Sequence, residues 1–270
     1  MRRKTGRDAF CFITHFVNDF VIEQIDKVVR ELSSEKMQIW IFYNLKDDKS
    51  NDFDFKEKWP GVSVFKYDEK TLEAEHFEKP GFDMHNRWLN AEIPMLTWAK
   101  TYRSLYDFVW FMEYDVLFNG DWNDVIGLYE DNDADLISSH IGKHDPYWYW
   151  KDAWNFRADF LERHSLKKDD FFKSFNPLMR LSRSLLGWMY RLYKNGSYGY
   201  SELVIPTFLN WWNVWTEDES ERMRYENLKF VSNQGDLDKS SMRFKPEWNV
   251  SEIVDQLIYH PVKNIKKQQE

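Results

Sequence analysis

Near the middle of this 270-residue chain, an uninterrupted apolar segment ends directly in acidic residues. Residues 108–112 read Phe-Val-Trp-Phe-Met, with Asp107 before them and Glu113, Tyr114 and Asp115 after them. A short segment that is apolar at every position is typical of a strand buried on both faces, as in a parallel sheet covered by helices. In open sheets of this kind, ligands bind beyond the carboxyl ends of the strands. The sequence therefore predicts a ligand site at Glu113 and Asp115.

An acidic pair in this position has a chemical use. Carboxylate oxygens are the ligands that hard divalent cations prefer, and a cation held there can bridge a diphosphate. The alternative interpretation is that both carboxylates cap the strand and face solvent. Two observations favour a functional role: the strand before the pair is wholly apolar, and a turn at residues 118–122 follows the pair at once.

A second acidic cluster lies nearby, at Asp131, Asp133 and Asp135. These residues come before a predicted strand and do not end one. They also lack the glycine that a calcium-binding loop needs at its sixth position. We interpret this cluster as a solvated turn and not as a metal site.

Hydrophobic periodicity predicts strands that alternate with helices in the first half of the chain. The predicted strands cover residues 9–14, 37–43, 62–67, 108–112 and 134–139, and the predicted helices cover 17–32, 93–105 and 120–129. Such alternation indicates an α/β fold with a mostly parallel sheet and right-handed connections. Helices are also predicted over residues 175–194 and 203–216. The sequence has no internal repeat and no linker, so we expect a single domain over residues 1–270.

The composition excludes several functional classes. A net charge of −8 argues against nucleic acid as the main partner, because phosphate backbones require a basic surface. No apolar stretch approaches the roughly 18 residues of a membrane-spanning helix, and no signal peptide is recognisable. The single cysteine, Cys11, excludes an internal disulfide, so a cytoplasmic location is expected. The 14 Trp, 14 Tyr and 21 Phe exceed what a core usually needs, and aromatic faces stack well on sugars.

The segment 108–116, Phe-Val-Trp-Phe-Met-Glu-Tyr-Asp-Val, resembles the region that carries the acidic D-x-D motif of GT-A-fold glycosyltransferases. Those enzymes take a sugar from a nucleoside diphosphate with the help of Mn²⁺ or Mg²⁺. The resemblance implies a GT-A-like, Rossmann-type sheet, with residues 1–142 as the nucleotide-sugar-binding half and residues 143–270 as an aromatic-rich acceptor half. Because glutamate occupies the first acidic position, Asp115 is expected to coordinate the metal directly and Glu113 through water.

The same resemblance implies a third metal ligand near the C-terminus. Many GT-A enzymes close the metal site with a late histidine, and His260 lies in a similar position. Neutral imidazole is a common ligand for such metals. Lys263, three residues later, is expected to meet the diphosphate as a point charge. The alternative for His260 is a structural role in the core.

Glu202 is the candidate general base. It follows the glycine-containing segment 196–201 and opens an uncharged helix, where the helix dipole alone would favour a carboxylate. Inverting GT-A enzymes often carry an acidic residue at the start of a helix in this half. The resemblance therefore implies that Glu202 takes the proton from the acceptor hydroxyl, and burial against Tyr200 and Trp211 would raise its pKa towards a useful value.

Strand ends supply the candidates for nucleotide binding. Thr14 and His15 end the first predicted strand and Asp68 ends the third, where base and ribose commonly bind. Arg87 and Asn90 precede the helix before the acidic strand and are the candidates for contact with the donor sugar. The chain has neither G-x-G-x-x-G nor G-x-x-x-x-G-K-[ST], which argues against dinucleotide and ATP-loop binding.

The acceptor half carries two further predictions. Trp211 and Trp212 are expected to shape the acceptor groove. The basic segment 173–194 contains no acidic residue, and two interpretations stay open: a solvated helix face, or a peripheral contact with an anionic membrane. A membrane contact at the inner face of the membrane would suit a lipid-linked acceptor.

Together these features predict an inverting, Mn²⁺- or Mg²⁺-dependent glycosyltransferase, as used in polysaccharide biosynthesis. Its donor would be a nucleoside diphosphate sugar, and its acceptor would be a sugar hydroxyl of a glycan or lipid-linked molecule. One alternative is a metal-dependent nucleotidyltransferase, but the residues after the first strand, 16–20, lack the glycine- and lysine-rich loop such enzymes usually need. The other is a non-catalytic carbohydrate-binding module, which would leave the acidic pair unexplained.

Overall fold

The computed structural model describes residues 5–45, 53–75, 77, 91–145, 148, 154–155, 161–162, 167–253 and 256–262. Its strands are β1 (Asp8–Thr14), β2 (Met37–Asn44), β3 (Ser63–Tyr67), β4 (Phe108–Glu113), β5 (Leu117–Phe118), β6 (Leu136–Lys143), β7 (Trp154–Asn155), β8 (Phe172–Ser182), β9 (Tyr198–Gly199), β10 (Tyr225–Asn227) and β11 (Ile258–Tyr259). Its α-helices are α1 (Asp19–Leu32), α2 (Phe55–Lys58), α3 (Glu69–Glu73), α4 (Glu92–Tyr102), α5 (Trp122–Gly127), α6 (Arg183–Lys194) and α7 (Ser201–Trp215). Short 3₁₀ turns lie at Arg103–Leu105, Lys168–Asp170, Glu219–Glu221, Leu237–Lys239 and Val250–Glu252.

A seven-stranded sheet, in the order β10-β6-β8-β4-β1-β2-β3, includes strands from both halves of the chain. The first four strands pair in parallel with one another, and β10 pairs in parallel with β6. Strand β8 comes from the second half and runs antiparallel between β4 and β6. The fold class is therefore α/β, with a mixed, mostly parallel sheet flanked by helices, as the sequence predicted.

Both faces of this sheet are covered, which explains the wholly apolar strand sequences. In β4, Val109 and Phe111 face one core cluster together with α4, α6 and α7. The alternate residues Trp110 and Met112 face a second cluster together with α1 and α5. A strand buried on both faces has no polar position to spare, so its sequence reads as an apolar block.

The strand order reverses between β1 and β4. Beyond β1 the chain adds β2 and β3 on one side, whereas β4 lies on the other side. Such a reversal opens a crevice at the carboxyl ends of the two central strands, which is where open α/β sheets bind ligands. Glu113 is the last residue of β4, and His15 follows the last residue of β1. The acidic motif therefore lies at this crevice.

The prediction of one helix over residues 175–194 is wrong. Residues 172–182 form β8, and α6 begins only at Arg183. Ser182 is the N-cap: its hydroxyl accepts a hydrogen bond from the main-chain N–H of Leu185 at 3.1 Å. The apolar residues of β8 are followed directly by the apolar face of α6, so hydrophobic periodicity predicts one continuous helix. The N-cap Ser182 marks the true boundary between the two elements.

Arg180 lies in this strand and is fully buried. Its guanidinium donates to the main-chain carbonyls of Tyr129, Asn132 and Ala134 at 2.7–3.1 Å. Burial lowers the pKa of Arg180 to about 10, which leaves it charged at neutral pH. Arg180 therefore stabilises the turn before β6 and takes no part in an exposed basic surface.

The acidic cluster before β6 is only partly the solvated turn that the sequence predicted. Asp131 and Asp133 are exposed, and Asp133 pairs with Arg224 at 2.9 Å. Asp135 is buried and accepts a hydrogen bond from the Ser182 hydroxyl at 2.5 Å. Asp135 therefore connects the start of β6 to the N-cap of α6.

Among the residues that the structure describes, no helix is long and apolar enough to cross a bilayer.

Candidate metal centre and acidic cleft

Three residues from two distant parts of the chain, Glu113, Asp115 and His260, converge at the carboxyl end of β4. Strand β11 pairs antiparallel with β5, which brings His260 beside the acidic motif. The Nε2 atom of His260 lies 3.5 Å from Oδ1 of Asp115 and 3.7 Å from Oε2 of Glu113. The main-chain N–H of Val262 also donates to the main-chain carbonyl of Asp115 at 2.8 Å. Asp115 and His260 are buried, and Glu113 is partly exposed.

The orientation of the His260 ring is fixed on its far side. Its Nδ1 atom lies 3.0 Å from the main-chain carbonyl of Arg243, which can only accept a hydrogen bond. Nδ1 therefore carries a proton, and in the neutral ring the lone pair of Nε2 faces Asp115 and Glu113. A histidine whose second nitrogen donates to a carbonyl is the usual arrangement of a metal ligand. The ring of Phe175 packs edge-on against His260 at 5.2 Å.

The electrostatics of this group favour a positive charge between the carboxylates. Burial is the largest single influence on the pKa of His260 and lowers it. The carboxylates of Asp115 and Glu113 and the Arg243 carbonyl act against burial, and the net pKa lies above its ordinary value. A proton on Nε2 and a divalent cation would neutralise the same two carboxylates, so the two compete for this position.

The three side chains fit a divalent cation. One ligand atom from each of Glu113, Asp115 and His260 lies within 4.8 Å of the others. Two carboxylate oxygens and one imidazole nitrogen form a donor set that suits Mn²⁺ and, through its oxygens, Mg²⁺. Because the separations of 3.5 and 3.7 Å exceed a normal hydrogen bond, the atoms are spaced as ligands around a shared centre.

Glu202 contacts strand β8, which also contacts His260. It is in the first turn of α7, only 3% exposed, and its Oε1 accepts a hydrogen bond from the main-chain N–H of Asn176 at 3.2 Å. Asn176 directly follows Phe175, whose ring packs on His260. Burial, and then the carboxylates of Glu202 and Glu113, raise the pKa of Tyr200. Tyr200 therefore lies within electrostatic range of both acids.

Sequence reasoning missed a further buried carboxylate, Glu92. It lies in the first turn of α4, is 2% exposed, and bonds to the hydroxyl of Tyr193. Its charge also acts on Tyr200. The sequence does contain a signal for this burial, because Glu92 directly precedes the uncharged residues 93–99, and the structure buries all of them. A carboxylate directly before such a buried segment cannot easily reach solvent.

The predicted nucleotide residues are separated by the fold. His15 lies at the switch point, where its ring contacts Phe16 at 4.8 Å and Tyr114 at 5.2 Å. The Thr14 hydroxyl is buried and donates to the main-chain carbonyl of Phe16 at 2.8 Å. Asp68 lies two strands away, roughly 10 Å further along the sheet.

Asp68 also has a structural task. It caps α3, because its carboxylate accepts hydrogen bonds from both the hydroxyl and the main-chain N–H of Thr71. These bonds lower the pKa of Asp68. Arg87, Asn90 and Lys263 lie outside the described residues.

The two acceptor tryptophans lie far from Glu202. They are about ten residues further along α7, or roughly 15 Å along its axis. Trp211 is fully buried and packs on Phe171 at 5.3 Å, so its side chain offers no surface to an acceptor. Trp212 is half-buried and contacts Trp188 at 4.4 Å.

No protein-family model matches the chain, and a search of curated proteins finds no match. Among solved structures, the chain is similar to the mannosyltransferase PcManGT from Pyrobaculum calidifontis in complex with GDP-Man and Mn²⁺. The two are 13% identical, the alignment covers 82% of this chain and 54% of that chain, and the TM-score is 0.42. This chain thus spans about half the length of that structure. At this distance the similarity identifies no activity, and the chain's own residues have to supply the reasons for one.

Proposed function

We propose that the protein is a metal-dependent, inverting glycosyltransferase. Its donor is a nucleoside diphosphate sugar, and its acceptor is a sugar hydroxyl of a glycan or lipid-linked molecule. The observation that carries this proposal is the convergence of Glu113, Asp115 and His260 at the topological switch point. An acidic motif that ends a buried strand and meets a histidine from the far end of the chain suits cation-assisted binding of a diphosphate.

Asp115 and His260 would hold the cation directly, with Glu113 beside them or acting through water. When bound, a divalent cation neutralises the charge that develops on the leaving diphosphate. Asp115 and His260 are both buried, so their positions are defined by packing before a ligand arrives. The Arg243 carbonyl keeps the Nε2 lone pair of His260 directed at the carboxylates.

Glu202 would act as the general base. A single in-line displacement requires a group that removes the proton from the acceptor hydroxyl as that oxygen attacks the anomeric carbon. Glu202 is buried, held at one oxygen by the N–H of Asn176, and near Glu113 through their shared neighbour Tyr200. Its position beside the metal group supports a role on the acceptor side, and the proton it takes remains on its carboxylate until the product leaves.

His15 and Thr14 are the nucleotide-binding candidates that the fold supports best. The rings of His15, Phe16 and Tyr114 contact one another at 4.8–5.2 Å beside the acidic motif, where a base could stack. The roles of Asp68, Lys263, Arg87 and Asn90 stay predictions from the sequence.

A peripheral membrane contact also stays a proposal, now restricted to α6. Its exposed Arg191 stacks over Trp188 at 4.2 Å, and Arg183 lies at its first turn. An arginine beside a half-exposed tryptophan suits the interface of an anionic bilayer. Trp212 packs against Trp188 and belongs to the same surface, where it could contact an extended or lipid-linked acceptor.

The activity is testable by incubating the protein with a panel of nucleoside diphosphate sugars and measuring nucleotide release. We expect release that requires Mn²⁺ or Mg²⁺, is removed by EDTA and is accelerated by a sugar acceptor. Asp115→Asn should abolish it, whereas Asp133→Asn, which changes an exposed acid paired with Arg224, should not. Release that survives both EDTA and Asp115→Asn would contradict the metal role. Synthesis of a nucleotide sugar from a sugar phosphate and a nucleoside triphosphate would indicate a nucleotidyltransferase instead.

A further inference from the structure

We propose that His140 is a positioning residue for the candidate metal centre. In this proposal His140 fixes the extended segment Ser241–Arg243, and that segment in turn orients His260. His140 lies in β6, belongs to none of the groups assigned above, and is buried. The inference rests on the metal role of His260 proposed above, and its test includes a measurement that needs no metal.

Two histidines contact the segment Ser241–Arg243 from opposite sides. His260 bonds to the outer two residues: its main-chain N–H donates to the Ser241 carbonyl and its Nδ1 to the Arg243 carbonyl, each at 3.0 Å. The carbonyl of the middle residue, Met242, lies 3.0 Å from Nε2 of His140. Successive carbonyls of an extended chain point in opposite directions. The contact to His140 therefore sets the orientation of the carbonyls that hold His260.

His140 is itself held at several points. Its Nδ1 lies 2.8 Å from the Gln234 carbonyl, and its main-chain N–H donates to Oε1 of Gln234 at 2.8 Å. Its Nε2 also lies 3.1 Å from the hydroxyl of Ser240. The Ser240 hydroxyl donates its proton to the Ser232 carbonyl at 2.7 Å, so the Ser240 oxygen can only accept from His140. Nε2 of His140 therefore carries a proton and donates to the Met242 carbonyl and the Ser240 oxygen.

The backbone around His140 is unusual in a way that points to function. Among the described residues, the non-glycine positions with positive φ are His140, Phe230 and Asn233, at 54°, 59° and 48°. Asn233 directly precedes Gln234, which contacts His140. Residues in such conformations persist only where their surroundings over-determine them, and they cluster at functional sites.

Phe175 joins the two histidines a second time. Its ring packs edge-on against His260 at 5.2 Å and against His140 at 6.2 Å. The two imidazoles are therefore linked both through the segment Ser241–Arg243 and through one aromatic ring. Loss of His140 would leave the Met242 carbonyl without this contact and would allow the Arg243 carbonyl to turn away from His260.

The test compares wild type with His140→Asn by ¹⁵N NMR of the imidazole rings in metal-free protein, at a pH above the pKa of His260. Asparagine tolerates positive φ but cannot span from Gln234 to Met242. The His260 signals are assigned with His260→Ala. We expect one tautomer, with the proton on Nδ1, in wild type and a mixture of both tautomers in His140→Asn. An unchanged His260 signal in His140→Asn would overturn the proposal.

Leu185→Ala is the control for a purely structural effect, because Leu185 is fully buried in α6 on the opposite face of the sheet. It should lower the melting temperature and leave the His260 tautomer unchanged. If it produces the same mixture, His140 acts only through stability and the proposal fails. Should His140→Asn not fold, Gln234→Ala removes the Oε1 atom that accepts from the main-chain N–H of His140, and it should give the same mixture in smaller proportion. The absence of a mixture in Gln234→Ala would also overturn the proposal.

A titration with Mn²⁺ separates this proposal from the proposed function. Paramagnetic broadening of the His260 signals reports binding directly, and His140→Asn should weaken that binding about 10–100-fold. If Mn²⁺ leaves the wild-type His260 signals unaffected, the metal role of His260 fails, whereas the tautomer comparison still decides whether His140 positions it. If Mn²⁺ binds wild type and His140→Asn equally, His140 has no positioning role.

Discussion

Replacing Glu202 by glutamine tests the proposed general base with the smallest change of shape. Glutamine keeps an oxygen that can accept from the N–H of Asn176, which Glu202 contacts at 3.2 Å. It also keeps the volume that fills a site only 3% exposed. Because an uncharged side chain costs less to bury than a carboxylate, we expect the free energy of unfolding to stay equal or to rise slightly. Any loss of activity is then chemical and not a loss of fold.

We expect Glu202→Gln to cause a large loss of activity that appears in kcat. General base catalysis contributes about 10²–10⁴-fold to a rate. This factor corresponds to about 2.7–5.5 kcal/mol in activation free energy. Asp115 and His260 are unchanged in this variant, so donor binding should persist. We therefore expect kcat to fall by this factor while the KM for the donor changes by less than about threefold.

The matched control is Glu92→Gln. Like Glu202, Glu92 is a buried carboxylate in the first turn of a helix, and both act on Tyr200. Initial rates of nucleotide release with saturating acceptor compare the two variants, and NMR of the product gives its anomeric configuration. Glu202→Gln within a few-fold of wild type, or a product that retains configuration, would refute the role. Equal losses in both variants would show that Glu202 is not the unique base.

Other predictions follow from the same structure. Isothermal titration should show that the apparent affinity for Mn²⁺ depends on pH, because the metal must displace one proton from His260. As pH rises towards the raised pKa of His260, the affinity should increase by up to about tenfold per pH unit, and above that pKa it should become constant. His260→Ala should weaken Mn²⁺ binding and flatten this profile. In metal-free protein, protonated His260 contributes to stability fully below its pKa in the unfolded state, and this contribution is lost as pH rises through its higher pKa in the folded state. Chemical denaturation should therefore show that the difference in free energy of unfolding between wild type and His260→Ala decreases as pH rises between these two pKa values. Arg180→Met should destabilise the protein by about 3 kcal/mol in denaturant titrations, because three buried carbonyls lose their donor; no change would show that the turn before β6 satisfies them otherwise. Arg183→Glu together with Arg191→Glu should abolish any salt-sensitive co-sedimentation with anionic liposomes, and equal sedimentation with neutral liposomes would exclude an electrostatic membrane contact.

The first half of the sheet was predictable because burial on both faces leaves a plain record in the sequence. The apolar segment 108–112 gave β4 to within one residue, and the alternation of strands and helices gave the α/β class. The boundary at Ser182 was missed for a physical reason. Every residue of β8 from Ser174 to Ser182 is buried, so a helical spacing of apolar residues can be traced across the boundary with α6. Only the N-cap serine separates the two elements, and a single polar residue is a weak signal.

The site was predictable only in part, because its members meet through tertiary contacts. Glu113 and Asp115 were identified from the strand that they end. His260 is predicted only by the family resemblance. Its approach to Asp115 depends on the pairing of β11 with β5, and strands of two residues carry little sequence signal. The support of His260 by Arg243 and the contacts of His140 depend on backbone carbonyls, which carry no sequence signature at all.

One reversed strand explains how these distant residues reach the same crevice. Strand β8 runs antiparallel between β4 and β6, so its amino end lies at the edge where β4 has its carboxyl end. That amino end contains Phe175, which packs on His260, and Asn176, which holds Glu202. Were β8 parallel to its neighbours, these residues would lie at the opposite edge of the sheet, roughly 20 Å away. The proposed metal ligand His260 and the proposed base Glu202 therefore both contact the amino end of β8 because of the direction of that strand, which neither the acidic motif nor the helix that contains Glu202 reveals.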